Sequence, residues 1–126
     1  MSPHEGIDTS RAPDPPRRVR LADLDAASPR TGVTRRRLTG RHLELIHYRY
    51  EPGTTFPRHA HAAEQITIVQ SGVLVFTFEG EEMRLEAGEA VVIPGGAPHG
   101  AYVPDDADGP TETLNLFTPV REAPPE

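Results

Sequence analysis

Short apolar runs separated by turn residues divide most of this 126-residue chain. The runs are rich in β-branched and aromatic residues, and turn signals recur about every 8 to 12 residues, which is typical of a β-sandwich or barrel. No stretch shows the long period, about 3.6 residues, of an amphipathic helix. The predicted strands cover residues 41–50, 65–70, 73–78, 82–86, 90–94, 99–103 and 112–118, with weaker candidates at 18–21 and 32–39.

A single domain accounts for the chain, because 126 residues are enough for one core and too few for two. Residues 1–18 are polar and hold four prolines, so we expect a disordered N-terminal tail. The domain is predicted to span residues 19–119, and residues 120–126 to form a flexible C-terminal tail.

The run at 73–78 is apolar on both faces, whereas the lumen of a barrel needs only one. Elements of the other sheet, residues 18–50 or a partner chain must cover the second face. Because large exposed apolar patches usually mark interfaces, we expect a C2 homodimer.

The missing residue types limit the chemistry. All 13 basic residues are arginine, which excludes a lysine Schiff base and with it the attachment of pyridoxal phosphate. The absence of cysteine removes thiolate nucleophiles, thiolate metal ligands and disulfides. Together with an N-terminus that lacks an apolar signal core, it favours the cytoplasm.

The charge pattern bears on partners. A net charge of −6 is not typical of a nucleic-acid binder, and no apolar window is long enough to span a membrane. The arginine run at 35–37 is interpreted as a strand edge with solvated guanidinium groups. A small molecule is therefore the expected partner besides a second copy of the chain.

Two histidines two positions apart, His59 and His61, are the first candidate metal ligands. On an extended segment their side chains point to the same face, and neutral imidazole is a common ligand of first-row divalent metals. Gln65 has the same parity and offers an amide oxygen, whereas the rival ligand Glu64 would face the other way on a strand. His99, which follows a Pro-Gly-Gly turn, is the third candidate imidazole.

The positions around these histidines resemble the two motifs of the cupin family. The first motif is matched by Gly53, His59-x-His61, Gln65 and Gly72, and the second by Gly88, Pro94-x-Gly96 and His99. Gln65 stands where cupins usually have Glu, and Val103 stands where the second motif usually ends in Asn. The resemblance implies an all-β, antiparallel jelly-roll barrel of about six to eight strands. It also implies one divalent transition metal (Zn, Mn, Fe, Ni or Co) in the barrel mouth, held by His59, His61, Gln65 and His99.

The C-terminal stretch, residues 114–121, is similar to the end of the small cupins grouped with the pectin-degradation proteins, which open the ring of unsaturated uronates. Phe117, Pro119 and Arg121 match that family's last strand, and the resemblance implicates Phe117 and Arg121 in the site. Asn115 departs from the pattern, because it stands where the family has Asp and an amide cannot act as a general base. Strand parity still puts Asn115 and Phe117 on one face.

The strand at 41–50 supplies further candidates. His47 shares a strand face with Arg49, and Tyr48 shares the other face with Tyr50, so either pair could line a cavity. A tyrosine (Tyr48, Tyr50 or Tyr102) or His47 would move a proton in catalysis.

Three functions fit these residues. The first is a Lewis-acid enzyme, an isomerase, lyase or cyclase acting on a small carbonyl, enol or uronate-like substrate whose carboxylate is held by Arg121 or Arg49. The second is an Fe(II)-dependent dioxygenase on the same scaffold, since three histidines with open positions also suit oxygen chemistry. The third is a non-catalytic, metal-dependent binding module for a small molecule.

Overall fold

The computed structural model describes residues 12–121. Nine strands and one 3₁₀ turn, Leu21–Asp23, form the regular structure of this part of the chain. The strands are β1 (Val33–Thr39), β2 (Glu44–Tyr50), β3 (Thr55–His59), β4 (Glu64–Ser71), β5 (Val73–Phe78), β6 (Glu81–Glu86), β7 (Ala90–Ile93), β8 (His99–Tyr102) and β9 (Thr111–Thr118). Within residues 12–121, no helix has the length and apolar character that crossing a membrane requires.

The strands form two antiparallel sheets that enclose a common core. The five-stranded sheet has the order β1-β2-β9-β4-β7, and the four-stranded sheet has the order β3-β8-β5-β6. Consecutive strands such as β4 and β5 lie in different sheets, and the last strand β9 pairs between β2 and β4. This arrangement confirms the predicted all-β jelly roll in one domain, with nine strands instead of six to eight.

Three local differences from the predicted strands have physical causes. The strand predicted at 41–50 begins at Glu44, because a turn precedes it in which the Gly40 amide donates to the Leu43 carbonyl at 2.8 Å. Residues 18–21 form no strand and lead into the 3₁₀ turn. The pattern did not predict β3, whose central Pro57 and Arg58 interrupt any apolar alternation.

Residues 12–18 lie on the surface without regular secondary structure. Arg17 donates to the Thr39 carbonyl at 2.7 Å, and Arg41 donates to Asp14 at 3.0 Å. This part of the predicted N-terminal tail therefore lies beside the end of β1. The remainder of the two predicted tails, residues 1–11 and 122–126, lies outside the described residues.

The aromatic part of the core fixes which face of β2 points inward. The rings of Tyr48 and Tyr50 stack with centroids 5.4 Å apart, and Phe56 of β3 packs edge-on against both, at 5.8 and 5.3 Å. Full burial of one large side chain contributes about 1.5 to 3 kcal/mol, so this cluster determines the parity of the strand. The alternate residues of β2, His47 and Arg49, consequently point outward.

Both faces of β5 are buried, as its apolar pattern requires. Leu74 and Phe76 point into the lumen, while Val75, only 4% exposed, lies on the opposite face. Tyr102 of β8 is paired with Val75, and its hydroxyl donates to Glu82 of β6 at 2.9 Å, so the ring lies across β5. Side chains of the same sheet therefore cover this face without residues 18–50 or a partner. The homodimer remains a prediction that needs a different surface.

Candidate metal centre

Pairing between β3 and β8 brings two of the three histidines together. His59 ends β3 and is the register partner of His99, the first residue of β8. Their ring centroids are 4.5 Å apart, and His61, in the loop after β3, lies 5.4 Å from His59 and 5.0 Å from His99. One candidate ligand atom from each ring lies within 4.8 Å of the other two, so the three imidazoles can hold one metal ion.

Glycine in the second motif allows this approach. The Gly96 amide donates to the His61 carbonyl at 2.7 Å, and Gly96 has a positive φ of 83°. Gly95 lies so close to the Ala62 carbonyl that a Cβ at this position would clash with it. The turn that precedes His99 can therefore lie directly against the loop that carries His61.

Backbone carbonyls set the tautomer of all three rings. The Nδ1 atoms of His59, His61 and His99 lie 3.1, 2.9 and 2.8 Å from the carbonyl oxygens of residues 57, 63 and 97. A carbonyl oxygen can only accept, so each Nδ1 must carry the proton and each neutral ring presents a bare Nε2. This is the outer-shell arrangement that orients histidine ligands in metal sites.

Gln65 is oriented by a directed chain of buried hydrogen bonds. Its amide nitrogen donates to the Thr67 hydroxyl at 2.9 Å, and that hydroxyl donates to the Asn115 side-chain oxygen at 2.6 Å. The Asn115 amide nitrogen donates in turn to the Thr113 hydroxyl at 2.8 Å and to the Ile46 carbonyl at 3.3 Å. Because the Gln65 amide nitrogen is held by Thr67, the Gln65 oxygen faces the histidines.

The contact between Gln65 and His61 fits a shared cation. The Gln65 Oε1 atom lies 3.0 Å from His61 Nε2. With the His61 proton on Nδ1 and the Gln65 nitrogen bonded to Thr67 in the buried relay Gln65–Thr67–Asn115, both of these atoms present lone pairs. Two lone-pair atoms at this distance could share one cation, which makes Gln65 the proposed fourth ligand. Glu64, the rival ligand, is exposed and has the opposite parity on β4.

The electrostatics of the cluster favour neutral donors. Burial lowers the pKa of His99 below its usual 6.5, and the neighbouring His59 and His61 act in the same direction, against the hydrogen bond to the Ala97 carbonyl. Among residues 12–121, no carboxylate belongs to the histidine cluster. Three imidazoles and one amide therefore form a set without formal charge, suited to a divalent transition metal.

A small cavity of about 40 Å³ opens beside the cluster. Its walls are mostly apolar, with a few polar groups. The lining residues are Tyr48, Tyr50, Phe56, His59, Gln65, Leu74, Phe76, His99, Gly100, Ala101, Asn115 and Phe117. Burial raises the pKa of Tyr48 to about 12 and that of Tyr50 further above its usual range. Both phenols are therefore neutral hydrogen-bond donors at physiological pH.

A buried ion-pair network lies behind Phe117. The Arg121 guanidinium carbon is 3.3 Å from the centre of the Phe117 ring, and its Nε donates to Glu44 at 2.6 Å. Arg37 Nε donates to the other Glu44 oxygen at 2.5 Å, and Arg37 Nη2 donates to the Arg121 carbonyl at 2.7 Å. Burial alone would raise the pKa of the Glu44 carboxyl, but the hydrogen bonds from Arg121 and Arg37 lower it below 4.5.

Sequence reasoning missed Glu44 and Arg37. The arginine run at 35–37 is more than the solvated edge that the sequence predicts, because Arg35 and Arg37 share the inward parity of Val33 on β1. The register partners of Arg35 and Arg37 are the buried Tyr48 and Ile46. Alternation along β1 was the signal that could have separated these two arginines from Arg36.

The structure places three of the predicted site residues away from the cavity. His47 lies on the outer face of β2 with its Nε2 3.1 Å from Glu112, and Arg49 is exposed with its Nε 3.5 Å from Glu51. Tyr102 lies on the outer face of β8. Strand parity therefore puts all three outside the cavity. The predicted residues Tyr50, Asn115 and Phe117 line the cavity with three of the four proposed ligands. Arg121 contacts the Phe117 ring and is not part of the cavity wall.

Comparisons with known proteins agree with this geometry. A sequence profile described as "Cupin domain" matches residues 46–117. The structure of KdgF from Halomonas sp. is similar, with a TM-score of 0.69 at 28% identity, covering 80% of this chain and 91% of that one. The polyketide cyclase RemF from Streptomyces resistomycificus has a TM-score of 0.74 at 24% identity, covering 85% of this chain and 82% of RemF. At that identity the likeness to RemF shows the fold alone.

A regulator also shares part of this domain. The HTH-type transcriptional regulator PuuR of Escherichia coli (strain K12) is 40% identical over 60 residues, which are 47% of this chain and 32% of the regulator. The matched part is thus about a third of the regulator's length. Because the cupin profile covers more than half of the sequence and the structure has the double-sheet fold that the profile predicts, this chain belongs to the cupin family.

Proposed function

We propose that this cupin is a metal-dependent enzyme of Lewis-acid type, an isomerase, lyase or cyclase that acts on a small carbonyl, enol or uronate-like substrate. The observation that carries the proposal is the set of four uncharged donors beside an apolar cavity. His59, His61, Gln65 and His99 would hold one divalent transition metal, such as Zn, Mn, Fe, Ni or Co. When bound, the metal supplies polarisation of a carbonyl or enolate oxygen, which is stronger without a carboxylate ligand.

Arg121 supports an anionic substrate. Arg37 and Arg121 share the single carboxylate of Glu44, so this network carries a net charge of about +1. The Arg121 Nη2 atom is buried and has no hydrogen-bond partner among the described residues. Phe117 lies between Arg121 and the cavity, so a substrate carboxylate would satisfy this donor only if it passed the Phe117 ring. The resemblance of the last strand to uronate-opening cupins supports the same substrate class.

The phenols supply hydrogen-bond donors in the cavity. Asn115 cannot take a proton, and the candidates His47 and Tyr102 lie outside the cavity, whereas Tyr48 and Tyr50 line it. Tyr50 Oη is buried in the wall, and the raised pKa holds its proton there. Tyr50 would therefore donate a hydrogen bond to an oxygen that gains negative charge, while the apolar walls exclude water.

A second function has its own support. PuuR shows that a related domain occurs in a transcriptional regulator, and the amide at position 115 removes the expected acid. A non-catalytic module would use the same metal site to bind a small anion without turnover. The dioxygenase alternative shares the scaffold but gains no separate support from the cavity.

One experiment separates the three functions. The protein is stripped with a chelator and reloaded with Zn, Mn or Fe(II). It is then incubated with an unsaturated uronate and with small β-dicarbonyl acids while product, binding and oxygen uptake are followed. Metal-dependent isomer or lyase product without oxygen uptake supports the proposal. Uptake linked to substrate and iron assigns a dioxygenase, and metal-dependent binding without product assigns a binding module. His61→Ala should abolish product, whereas His47→Ala, the matched change on the outer face, should leave it unchanged.

A further inference from the structure

The cavity beside the metal centre has a polar end and an aromatic end. His59 and His99 are register partners at the start of β8, and Phe56 pairs with Ala101, two residues further along the same strand. Two residues of a strand span about 7 Å. The histidines and the aromatic side chains are therefore separated along the cavity, so a molecule inside it meets two different environments.

The polar end opens to solvent, whereas the aromatic end is closed. His59 is exposed, while Tyr48, Tyr50 and Phe76 are buried. The two tyrosine rings stack on each other, and Phe56 packs edge-on against both. A ligand that enters past His59 therefore reaches the proposed metal ligands first and the aromatic rings last.

Most polar groups of the cavity wall are already engaged. The amides of Gln65 and Asn115 hydrogen-bond within the buried relay, through the Thr67 hydroxyl. Gly100 and Ala101 contribute backbone of β8, which is paired with β3 on one side and with β5 on the other. Of the wall residues that the structure describes, the two tyrosines carry the remaining polar groups away from the metal ligands.

The two phenols suit a carbonyl or enolate oxygen better than a hydroxyl group. Both stay protonated, because burial raises the pKa of Tyr48 and of Tyr50. Tyr48 is hydrogen-bonded to Arg35, and since a guanidinium can only donate, the phenol keeps its own proton for another partner. An oxygen that only accepts can take such a proton. A sugar hydroxyl also needs an acceptor for its own proton, and burial without one is unfavourable.

The size of the cavity limits what can lie beyond the metal ligands. One water-sized group needs about 10 to 15 Å³ of such a cavity, and this one has about 40 Å³. It therefore holds about three groups of the size of a methylene. A uronate with all its hydroxyls is larger than this space.

We propose that the ligand of this site is a small oxo acid, or its enol, with an apolar tail of about one to three carbons. The inference rests on the proposed function, because the oxo and carboxylate oxygens would bind the metal. Four uncharged ligands leave the full charge of a divalent metal to attract such an anion. The tail would enter the aromatic end, where it needs no hydrogen bond. Among the proposed substrates, carbonyl and enol acids therefore fit the cavity better than uronates.

A matched pair of acids tests the apolar tail. 2-Oxobutanoate and hydroxypyruvate have the same chelating head and nearly the same size, but the first ends in a methyl group and the second in a hydroxyl. Isothermal titration into the Co²⁺-loaded full chain should give about 10- to 100-fold tighter binding of 2-oxobutanoate, the order at which an apolar pocket separates such isosteres. Equal affinities, or tighter binding of hydroxypyruvate or of an unsaturated uronate, would overturn the inference.

A series of chain lengths measures the room for the tail. From pyruvate through 2-oxobutanoate and 2-oxopentanoate, affinity should rise about fourfold for each added methylene. It should rise no further with 2-oxohexanoate, because the cavity is then full. A series without dependence on chain length would contradict the tail site in the wild-type chain, without recourse to a variant.

A wall variant and a matched control locate the tail. Leu74→Ala removes a side chain from the cavity wall and should extend the rise in affinity by one or two carbons. Val75→Ala changes the next residue of β5, which points to the opposite face. It is the control, because the two residues are 2% and 4% exposed and the loss of packing is comparable. The same shift in both variants, or none in Leu74→Ala, would refute the placement of the tail.

Metal binding and turnover distinguish this inference from the proposed function. Co²⁺ is first titrated into the stripped chain, and a chain that binds no Co²⁺ overturns both. Oxo acids that bind in the expected order without conversion support the ligand class and assign a binding module. Conversion of an unsaturated uronate, with weaker binding of the oxo acids, supports the enzyme and overturns the inference.

Discussion

Replacing Thr67 by valine tests whether the buried relay orients the Gln65 ligand. Thr67 is fully buried, and its hydroxyl accepts from Gln65 and donates to Asn115. Valine keeps the shape but removes both bonds, which leaves the Gln65 amide nitrogen and the Asn115 oxygen unpaired. Each unsatisfied buried group costs about 1 to 3 kcal/mol. The Gln65 side chain is then expected to rotate so that its amide nitrogen finds another acceptor. This rotation moves the amide oxygen away from the three histidines.

We expect the affinity for Co²⁺ or Zn²⁺ to fall about 10- to 100-fold in Thr67→Val, the range seen for outer-shell changes in metal sites. Isothermal titration against the stripped protein measures this directly, and circular dichroism confirms that the variant is folded. The d–d absorption of bound Co²⁺ should also change, because one oxygen donor is lost or misaligned.

Thr111→Val is the matched control. Thr111 is equally buried, and its hydroxyl also makes two hydrogen bonds, accepting from the Val73 amide and donating to the Val73 carbonyl. It lies outside the relay, so it should lose similar stability and keep its metal affinity. Equal metal loss in both variants, or unchanged affinity in Thr67→Val, would refute the reasoning.

The remaining predictions concern the ligands, the cavity and the ion-pair network. His61→Ala should retain less than about a tenth of the bound metal by elemental analysis. It should also lower the melting temperature less than a core deletion does, since the metal adds stability only by binding the folded state. Tyr50→Phe should lower kcat at least tenfold, as expected for the loss of a hydrogen bond to an oxygen that gains negative charge, while Tyr102→Phe should leave it unchanged. Glu44→Gln should destabilise the protein at pH 7 by about 3 kcal/mol, because it removes a buried carboxylate and leaves two partly buried arginines uncompensated. The folded pKa of Glu44 is lowered, so its stabilising effect is present above pH 4.5 and is lost as the pH falls through the folded value; denaturant unfolding at pH 3 and 7 measures the difference.

Much of the fold and of the histidine cluster could be predicted because both depend on local spacing. The two-residue separation of His59 and His61 and the Pro-Gly-Gly turn before His99 are visible in a short stretch of sequence. Parity along β4 also distinguishes Gln65 from Glu64. For β2, parity alone does not show which face points to the cavity, because His47 and Arg49 are as plausible in a site as Tyr48 and Tyr50. Packing of the tyrosines against Phe56 of another sheet decided the matter, and such a contact is not local.

The ion-pair network illustrates what the sequence could not supply. Glu44 and Arg121 are separated by 77 residues, and Arg37 and Arg121 by 84. Nothing in the composition of these segments distinguishes a buried carboxylate from an ordinary surface charge. Only the pairing of β1 with β2 and of β2 with β9 brings them together.

The relay through Thr67 would make the two proposed functions of this cupin, enzyme and binding module, separable at a single position. Thr67 needs only an oxygen acceptor at residue 115, and a carboxylate offers one as readily as an amide does. An acid at this position would still hold Gln65 in place, but its second oxygen would face the Ile46 carbonyl, which favours keeping a proton on it. Exchange between Asn and Asp would thus add or withdraw a titratable proton without rebuilding the metal ligands. A scaffold with this property can pass between catalyst and ligand sensor by one substitution.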